Sequence, residues 1–362
     1  MFFNSAYLWS SLILVSFVNK KSASNNSNNN FDRKCNGDYS NHSQVLPTMA
    51  LKNATHFSLF TLSGLQDETK ESRYVLFSVT LICYFLIVFK NMTLIATILL
   101  EKSLHEPMYI FLCNMCFNAL YGTIGFYPKF LYDLLSEEHV ISYSGCYLQA
   151  FVIYSNFLCD CSILTVMAYD RYVAICKPLE YHSIMTNQAV VKLIVFPWVP
   201  PLLCEGVLIF LSYRLNLCGS SIEKLYCANW SIVKLSCSLN TMNNVAGYIV
   251  IFVYIGHVIF IFYSYAQLIR TCLKSTEDRG KFLQTCLPHL FSLINVTVAV
   301  LFEVMFNRYG NKDFPQRLLN FMALDILVFP PLLNPLVYGI QLTKVRSKVF
   351  GKCKKHSRLN HD

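Results

Sequence analysis

The chain has 362 residues, of which 54% are hydrophobic and 14% charged, and its mean hydropathy is +0.40. Soluble domains carry about 25% charged residues, so this composition disfavours a soluble protein and indicates one embedded in lipid. The formal net charge of +9 does not indicate a nucleic-acid partner, because the basic residues are scattered between apolar blocks.

Seven apolar segments are long enough to cross a membrane as helices, which takes about 20 residues each. We label them spans 1 to 7, with predicted ranges 75–100, 108–134, 147–171, 188–211, 242–269, 283–306 and 317–341. No alternating pattern predicts a β-barrel. The predicted fold is an all-α membrane protein, in which a seven-transmembrane helix bundle (73–342) lies between an N-terminal tail (1–72) and a C-terminal tail (343–362).

The distribution of Lys and Arg predicts how the bundle is oriented, because cytoplasmic loops carry more of them. Fifteen basic residues follow spans 1, 3, 5 and 7, whereas six follow spans 2, 4 and 6. This predicts a multi-pass plasma-membrane protein with an extracellular N-terminus. The sequon Asn53-Ala54-Thr55 lies on the same predicted side and predicts a glycan on Asn53.

The first 48 residues admit two interpretations. Residues 7–18 are apolar but too short to span a bilayer, and Lys20 and Lys21 follow them instead of preceding them, as they would in a signal peptide. The segment is either a signal-like extension or a stretch upstream of a natural start at Met49.

Five stretches carry a family resemblance. They are HEPMYIFLCNM (105–115), MAYDRYVAICKPLEYHSIM (167–185), SY (264–265), KFLQTCLPHL (281–290) and LLNPLVYGI (332–340). Seven spans with Asp-Arg-Tyr at the end of span 3 resemble a rhodopsin-like G-protein-coupled receptor. The order and spacing of the five stretches resemble the odorant receptor family over residues 55–350, and the stretches LCNMCFNALYGTIGFYPKFL and VMFNRYG are most similar to fish-type members.

The resemblance implies a receptor for a small, water-soluble odorant, located in the cilia of olfactory sensory neurons. It implies a heterotrimeric G protein of the olfactory stimulatory type as partner, with cyclic AMP as the signal. The alternative is a rhodopsin-like receptor for a peptide or a lipid. An enzyme is disfavoured, because the phosphate-loop, H-E-x-x-H and nucleophile-elbow motifs are absent from the sequence. No cofactor or metal site is predicted, since the C-x-x-C pair at Cys113 and Cys116 has no second pair at zinc spacing.

The resemblance also implies a switch where a G protein would couple. Asp170 would hold Arg171 until movement of span 6 releases it, although an Asp-Arg pair alone equally suits a charge pair that sets topology. In span 7, Pro335 would kink the helix, and Asn334 would satisfy the freed backbone groups. The remaining residues assigned to the switch are Tyr172, Tyr265, His289 and Tyr338.

A polar network is expected inside the bundle. Asp160 lies about three helical turns before Arg171, and a carboxylate in lipid must be paired or protonated. Asn118 and Asn334 are the candidate partners, and Asn91 is assigned to the same network, which is either part of the switch or purely structural. Ala119 stands where the wider class carries Asp, which puts a conventional sodium site in doubt.

The resemblance assigns two disulfides at the outer end of the bundle. Four cysteines there permit three pairings, and the resemblance selects Cys146–Cys227 and Cys218–Cys237. These would pin the loop after span 4 over a pocket.

That pocket is expected among the outer halves of spans 3, 5, 6 and 7. Its candidate lining residues are Tyr154, Phe157, Leu158, Thr297, Val300, Leu301 and Arg308. The outer half of span 3 carries no acidic residue, which argues against an amine receptor with its counter-ion there. Arg308 would either grip a carboxylate-bearing or otherwise polar odorant or anchor the helix at the interface.

The C-terminal stretch at 343–355 is basic and predicts a short cytoplasmic amphipathic helix 8. It would lie on the lipids of the anionic inner leaflet. Cys353 within it is a candidate for palmitoylation.

Overall fold

The structure is a computed structural model that describes residues 59–272, 287–310 and 315–341, apart from the side chains of 272, 287–289, 291–292, 307 and 334–341. By its contacts the chain divides into two units, Met1–His56 and Phe57–Asp362, and the described residues belong to the second. The predictions for residues 1–48, for Asn53, for helix 8 and for Cys353 lie outside the described residues.

Each of the seven predicted spans is helical where it is described, except for a turn at residues 196–198 of span 4. The helices are Lys70–Leu100 in span 1, Pro107–Leu135 in span 2, Tyr143–Cys176 in span 3, Asn187–Val195 and Val199–Tyr213 in span 4, Thr241–Cys272 in span 5, Leu287–Tyr309 in span 6, and Gln316–Gln341 in span 7. In the described part, six helical stretches are long and apolar enough to cross a membrane, and span 6 contributes the shorter apolar stretch Leu293–Phe306. The predicted seven-helix bundle of a multi-pass membrane protein is confirmed.

The ends and breaks of the helices follow from local chemistry. Thr69, Ser142 and Thr186 each accept a backbone N–H of the first turn, which caps spans 1, 3 and 4. Pro107 opens span 2, where its missing N–H costs nothing. Span 4 is interrupted beside Pro197, which cannot donate a helical hydrogen bond.

Span 3 is the centre of the bundle, in contact with spans 2, 4, 5 and 6. Its helix is largely buried, whereas spans 1, 4 and 5 present apolar side chains outward, as lipid-facing helices do. Phe89 in span 1 is 69% exposed and Phe252 in span 5 is 77% exposed. We call the end of the bundle that carries the loop 214–240 the loop end, and the end that carries Asp170 and Arg171 the motif end.

A three-stranded sheet lies at the loop end, and the sequence pattern did not predict it. Strand β1 is Leu59–Leu62, β2 is Val140–Ser142 and β3 is Ser221–Ile222, in the order β2-β1-β3. Strand β1 pairs antiparallel with β2 and parallel with β3. The segment before span 1 is thereby joined to the loops that follow spans 2 and 4.

Three further short helices connect these elements. They are the 3₁₀ turns Lys102–Leu104 and Pro178–Glu180 and the helical turn Tyr181–Ile184. A fourth, Asn229–Val233, belongs to the loop 214–240 and contacts spans 3, 4 and 6. That loop is therefore packed into the bundle.

Candidate ligand cavity and switch residues

Two disulfides fasten the loop 214–240. The structure pairs Cys146 with Cys227 and Cys218 with Cys237, which are the pairs that the resemblance implies. Gln149 of span 3 adds a second attachment, because its Oε1 accepts the backbone N–H of Cys227 at 2.9 Å and its Nε2 donates to the carbonyl of Gly125 at 3.0 Å. One side chain thus joins the loop to spans 2 and 3.

A cavity of about 430 Å³ lies below this loop, within the usual range for small-molecule sites. Spans 3, 4, 5 and 6 and the loop helix Asn229–Val233 line it. The structure brings all seven candidate ligand residues to its wall: Tyr154, Phe157, Leu158, Thr297, Val300, Leu301 and Arg308. That they contact a ligand stays a prediction.

The cavity differs from the predicted pocket in one helix. Span 4 contributes Glu205 and Leu208 to the wall, whereas none of the described residues of span 7 borders it. Span 7 packs against spans 1, 2 and 6, while span 4 lies between spans 3 and 5. The wall also includes side chains on the outside of the bundle, since Ile259 is 63% exposed and Leu301 is 44% exposed.

Glu303 of span 6 ties the loop to the helices beside the cavity. Its Oε1 receives Lys224 Nζ at 2.7 Å, the Tyr226 hydroxyl at 2.8 Å and the Tyr154 hydroxyl at 3.2 Å. Burial raises the pKa of the Tyr226 phenol well above its usual value, and the neighbouring Glu303 adds to the shift. This phenol therefore remains protonated and donates. We call these four residues the loop latch.

Arg308 of span 6 is held between two aromatic rings. Its guanidinium lies 4.2 Å from the ring centre of Trp230 and 4.4 Å from that of Tyr248, and its Nη1 donates to Asn244 Oδ1 at 3.4 Å. A Cβ at Gly247 would collide with Nη2 of this guanidinium, so a side chain there would disturb the stack. Arg308 joins span 6 to span 5 and the loop, and both of its predicted roles, carboxylate binding and interfacial anchoring, stay predictions.

Three buried polar atoms at the cavity wall have no hydrogen-bond partner among the described residues. They are Glu205 Oε1, Asn229 Oδ1 and Trp230 Nε1. Buried polar atoms are normally satisfied, and most of the cavity wall is Leu, Ile, Val, Phe and Tyr. The unsatisfied atoms therefore mark where a ligand would gain hydrogen bonds.

At the motif end, Asp170 holds Arg171. The Arg171 Nε donates to Asp170 Oδ2 at 2.9 Å, and Nη2 contacts the same oxygen. The second carboxylate oxygen accepts the hydroxyl of Tyr181 at 2.8 Å. Asp170 is 1% exposed, so Arg171 and Tyr181, and not water, are its partners. The Asp170–Arg171 pair is present, as both the switch and the topology interpretation expect, and its role as a switch stays a prediction. Tyr181 is a further partner of Asp170 that the sequence did not reveal.

The other switch residues are described to different extents. Tyr265 is 3% exposed and packs in the core at the motif end, and Tyr172 is half-buried on span 3. His289, Asn334, Pro335 and Tyr338 lie in helices, but their side chains are outside the described residues. The roles assigned to these residues stay predictions.

The expected polar network joins spans 2 and 3. Asn118 Nδ2 donates to Asp160 Oδ1 at 2.8 Å and to the carbonyl of Asn156 at 3.1 Å, and Asn156 Nδ2 donates back to the carbonyl of Asn118 at 2.8 Å. A Cβ at Gly122 would lie 2.6 Å from Asn156 Cγ, so the exchange needs glycine there. The predicted pairing of Asp160 with Asn118 is present, and the one with Asn334 lies outside the described side chains.

Asn91 makes a separate contact, between spans 1 and 7. Its Nδ2 donates to the carbonyl of Pro331 at 3.1 Å and to that of Ile87 at 2.8 Å. In a helix the carbonyl of residue 331 would accept the N–H of residue 335, and Pro335 has none. Asn91 thus supplies the donor that Pro335 lacks, and the described contacts do not join it to Asp160.

Sequence reasoning missed Glu205 and the loop latch. A usable signal existed, because an ionisable residue inside a predicted span marks a functional position by default. Glu205 lies in span 4 and Glu303 in span 6, and both are acidic residues within apolar segments. In the described part of the chain, no group of three His, Cys, Asp or Glu side chains is arranged to hold a metal ion.

A seven-helix bundle with an Asp-Arg-Tyr motif at one end of span 3, and a cavity under a disulfide-bonded loop at the other, defines a rhodopsin-like G-protein-coupled receptor. A family model described as "Olfactory receptor" matches residues 80–354. The chain is 32% identical to Olfactory receptor 1D2 of Pongo pygmaeus, over 80% of this chain and 92% of that protein.

Two human relatives agree. Olfactory receptor 52K1 is 30% identical over 82% of this chain and 95% of its own length. Olfactory receptor 56A1 is 36% identical over 72% of this chain and 82% of its own length. The chain belongs to the olfactory receptor family. It is an odorant receptor of the G-protein-coupled class and is not an enzyme. Family membership disfavours the alternative of a receptor for a peptide or a lipid. The finer similarity to fish-type members stays a prediction.

Proposed function

We propose that this receptor binds a small, water-soluble odorant in the cavity below the loop 214–240 and activates an olfactory stimulatory G protein, which raises cyclic AMP. The observation that carries the proposal is the cavity itself. It lies at the end of span 3 opposite Asp170 and Arg171, and spans 3 and 6 both form its wall. A ligand there touches helices that reach the motif end.

The signal would pass from the cavity to the motif end because the ligand contacts the two states of the bundle differently. A ligand shifts an equilibrium only if it binds one state better than the other. At the cavity it would press on Thr297 and Val300 of span 6, and Val300 packs against the apolar cores at both ends of the bundle. At the motif end the matching change is release of Arg171 from Asp170, which frees its guanidinium for a G-protein segment.

The orientation is part of the proposal. The excess of Lys and Arg after spans 1, 3, 5 and 7 supports a cytoplasmic motif end and an extracellular loop end. The two disulfides at the loop end support the same assignment, because structural disulfides persist in oxidising surroundings. The site of action is then the plasma membrane of olfactory sensory neurons, in their cilia.

The test is a cyclic AMP assay in cells that express this chain with an olfactory stimulatory G protein. Wild type and Arg171→Ala are challenged with amino acids, carboxylic acids, bile acids and steroids, and surface expression is measured for both. We expect a wild-type response that Arg171→Ala loses. A full response from Arg171→Ala would contradict the assigned coupling role.

The same assay addresses the carboxylate hypothesis for Arg308. Arg308→Ala should weaken the response to an acidic odorant if the guanidinium pairs with its carboxylate. An unchanged response to that acid would remove the hypothesis and leave Arg308 with its contacts to Trp230 and Tyr248.

A further inference from the structure

Glu205 is a buried carboxyl group for which the described residues provide no hydrogen bond or ion pair. It lies in span 4 and is 2% exposed, its Oε1 has no hydrogen-bond partner, and it borders the cavity. Ionisable side chains inside a membrane are costly and are usually paired or functional. Glu303 in the same bundle has Lys224, Tyr226 and Tyr154 as donors, so the contrast between the two glutamates is specific.

A second observation points to the same space. Asn229 Oδ1, also without a partner, lies on the cavity wall opposite the helices, in the loop helix. Two acceptors without a described partner therefore belong to residues that line one cavity, beside the unpartnered donor Trp230 Nε1, and the remaining wall is mostly aliphatic and aromatic. A ligand that satisfies them must bring hydrogen-bond donors on an otherwise apolar body.

The charges around the cavity favour a cationic donor at Glu205. Arg308 is the cationic side chain among the lining residues, and it lies one residue before the end of span 6, at the loop end. Glu205 lies eight residues before the end of span 4, which places it about 12 Å deeper along that helix. An ammonium group is thus attracted to the deep position and repelled from the shallow one.

We propose that Glu205 binds the amino group of a small ligand whose remaining body is apolar. The ammonium donates to the Glu205 carboxylate, a charge-assisted hydrogen bond, while the hydrocarbon body fills the space between spans 3, 5 and 6. This inference rests on the proposed function for the location of the ligand, and it adds the chemical class. It also explains how an amine fits a receptor whose span 3 has no acidic residue in its outer half.

The experiment compares amines with alcohols and carboxylic acids of the same carbon skeleton, in graded chain lengths. Two readouts are taken: cyclic AMP in cells, and thermal stabilisation of the purified receptor, which does not require coupling. Glu205→Gln keeps the shape of the side chain and removes its charge, whereas Glu205→Asp keeps the charge on a side chain that is one methylene shorter. Glu223→Gln is the control, because it replaces Glu with Gln at an exposed position in the loop.

We expect amines to stabilise the wild-type receptor more than their matched alcohols and acids do. Glu205→Gln should raise the concentration of amine needed by at least about tenfold, the loss of one charge-assisted hydrogen bond. Glu205→Asp should show a smaller shift, and Glu223→Gln none. If Glu205→Gln does not fold, the shift in Glu205→Asp decides.

Three outcomes separate this inference from the proposed function. Amines that stabilise the receptor in a Glu205-dependent way without raising cyclic AMP would support the amine site and count against the coupling. Alcohols or acids that raise cyclic AMP, with amines inert in both readouts, would uphold the coupling and reject the amine site. Amine effects that are equal in wild type and Glu205→Gln would also reject it.

Discussion

A buried amide side chain in this receptor donates to a backbone carbonyl that would otherwise have no donor, because proline has no N–H and lipid supplies no water. Asn91 is fully buried, and its side chain donates to the carbonyl of Pro331. That carbonyl lacks its helical donor, because Pro335 has no N–H. In lipid no water can replace such a donor. A single side chain of span 1 therefore fixes the position of span 7 just before the Asn-Pro-x-x-Tyr stretch at 334–338.

Replacing Asn91 with Ala should destabilise the receptor by about 1–3 kcal/mol, because the carbonyl of Pro331 would be left buried without a donor. The measurement is thermal unfolding of the purified receptor. Thr93→Ala is the matched control, since the Thr93 hydroxyl bonds only the Phe89 carbonyl within its own helix, on an exposed surface. Equal melting temperatures for the two variants would contradict the role of Asn91.

At the residue scale the sequence predicted some partners and not others. Asp160 and Asn118 could be matched because both are polar residues in the middle of predicted spans, and the structure joins them at 2.8 Å. Tyr181 on Asp170 could not be foreseen, because its turn lies beyond span 3 and folds back on it. The partners of Glu303 depend on the path of a loop, which local patterns do not encode.

At the scale of elements, the loop 214–240 is attached to the bundle by covalent bonds and by buried charge. The disulfides fix its path, and the loop latch joins it to span 6. The side chains of Lys224 and Glu303 are 16% and 8% exposed. Removing one partner of an ion pair at this depth strongly destabilises the protein, because the other charge is left buried without compensation. The latch therefore couples the position of span 6 to the loop.

A double-mutant cycle tests this coupling. Lys224→Met and Glu303→Gln should each destabilise the receptor, and their combination should recover about 1–3 kcal/mol relative to the sum, because neither partner is then left alone. Thermal unfolding of the purified variants gives the coupling energy.

The comparison pair for that cycle is Lys70 with Glu137, which are 2.8 Å apart but 70% and 77% exposed. Exposed pairs contribute little, so this control should couple more weakly than the latch. A latch coupling no greater than that of the exposed pair would show that the contact does not hold span 6.

The sequence predicted helices better than strands. Spans are predicted from length and hydropathy alone, and the predicted spans are helical where described, apart from the turn at 196–198 in span 4. Span 1 begins at Lys70, earlier than predicted. The sheet was missed because β1, β2 and β3 have only four, three and two residues. They acquire their pairing from the packing of three loops, since none has a periodic pattern of its own.

For the whole molecule, the order of the apolar spans and the family stretches predicted a seven-helix receptor, and the family comparison agrees. The sequence did not predict that span 4 would border the cavity while span 7 would not, because helix neighbours depend on tilt and packing. That difference brings Glu205 to the cavity wall and is the basis of the amine site that we propose.

The proposed function requires that an odorant occupies this cavity and signals from it. Its most direct test is the cyclic AMP response of Thr297→Phe beside that of Val298→Phe, at matched surface expression. Thr297 lines the cavity, whereas its neighbour Val298 is 58% exposed on the outside of the same helix. The added ring should fill space that the ligand needs in the first variant and face lipid in the second.

We predict that Thr297→Phe loses the odorant response, or needs at least about tenfold more odorant, which corresponds to about 1.4 kcal/mol of binding energy. Val298→Phe should respond as the wild type does. An unchanged response in Thr297→Phe, with an odorant that activates the wild type, would contradict the claim that the ligand lies in this cavity.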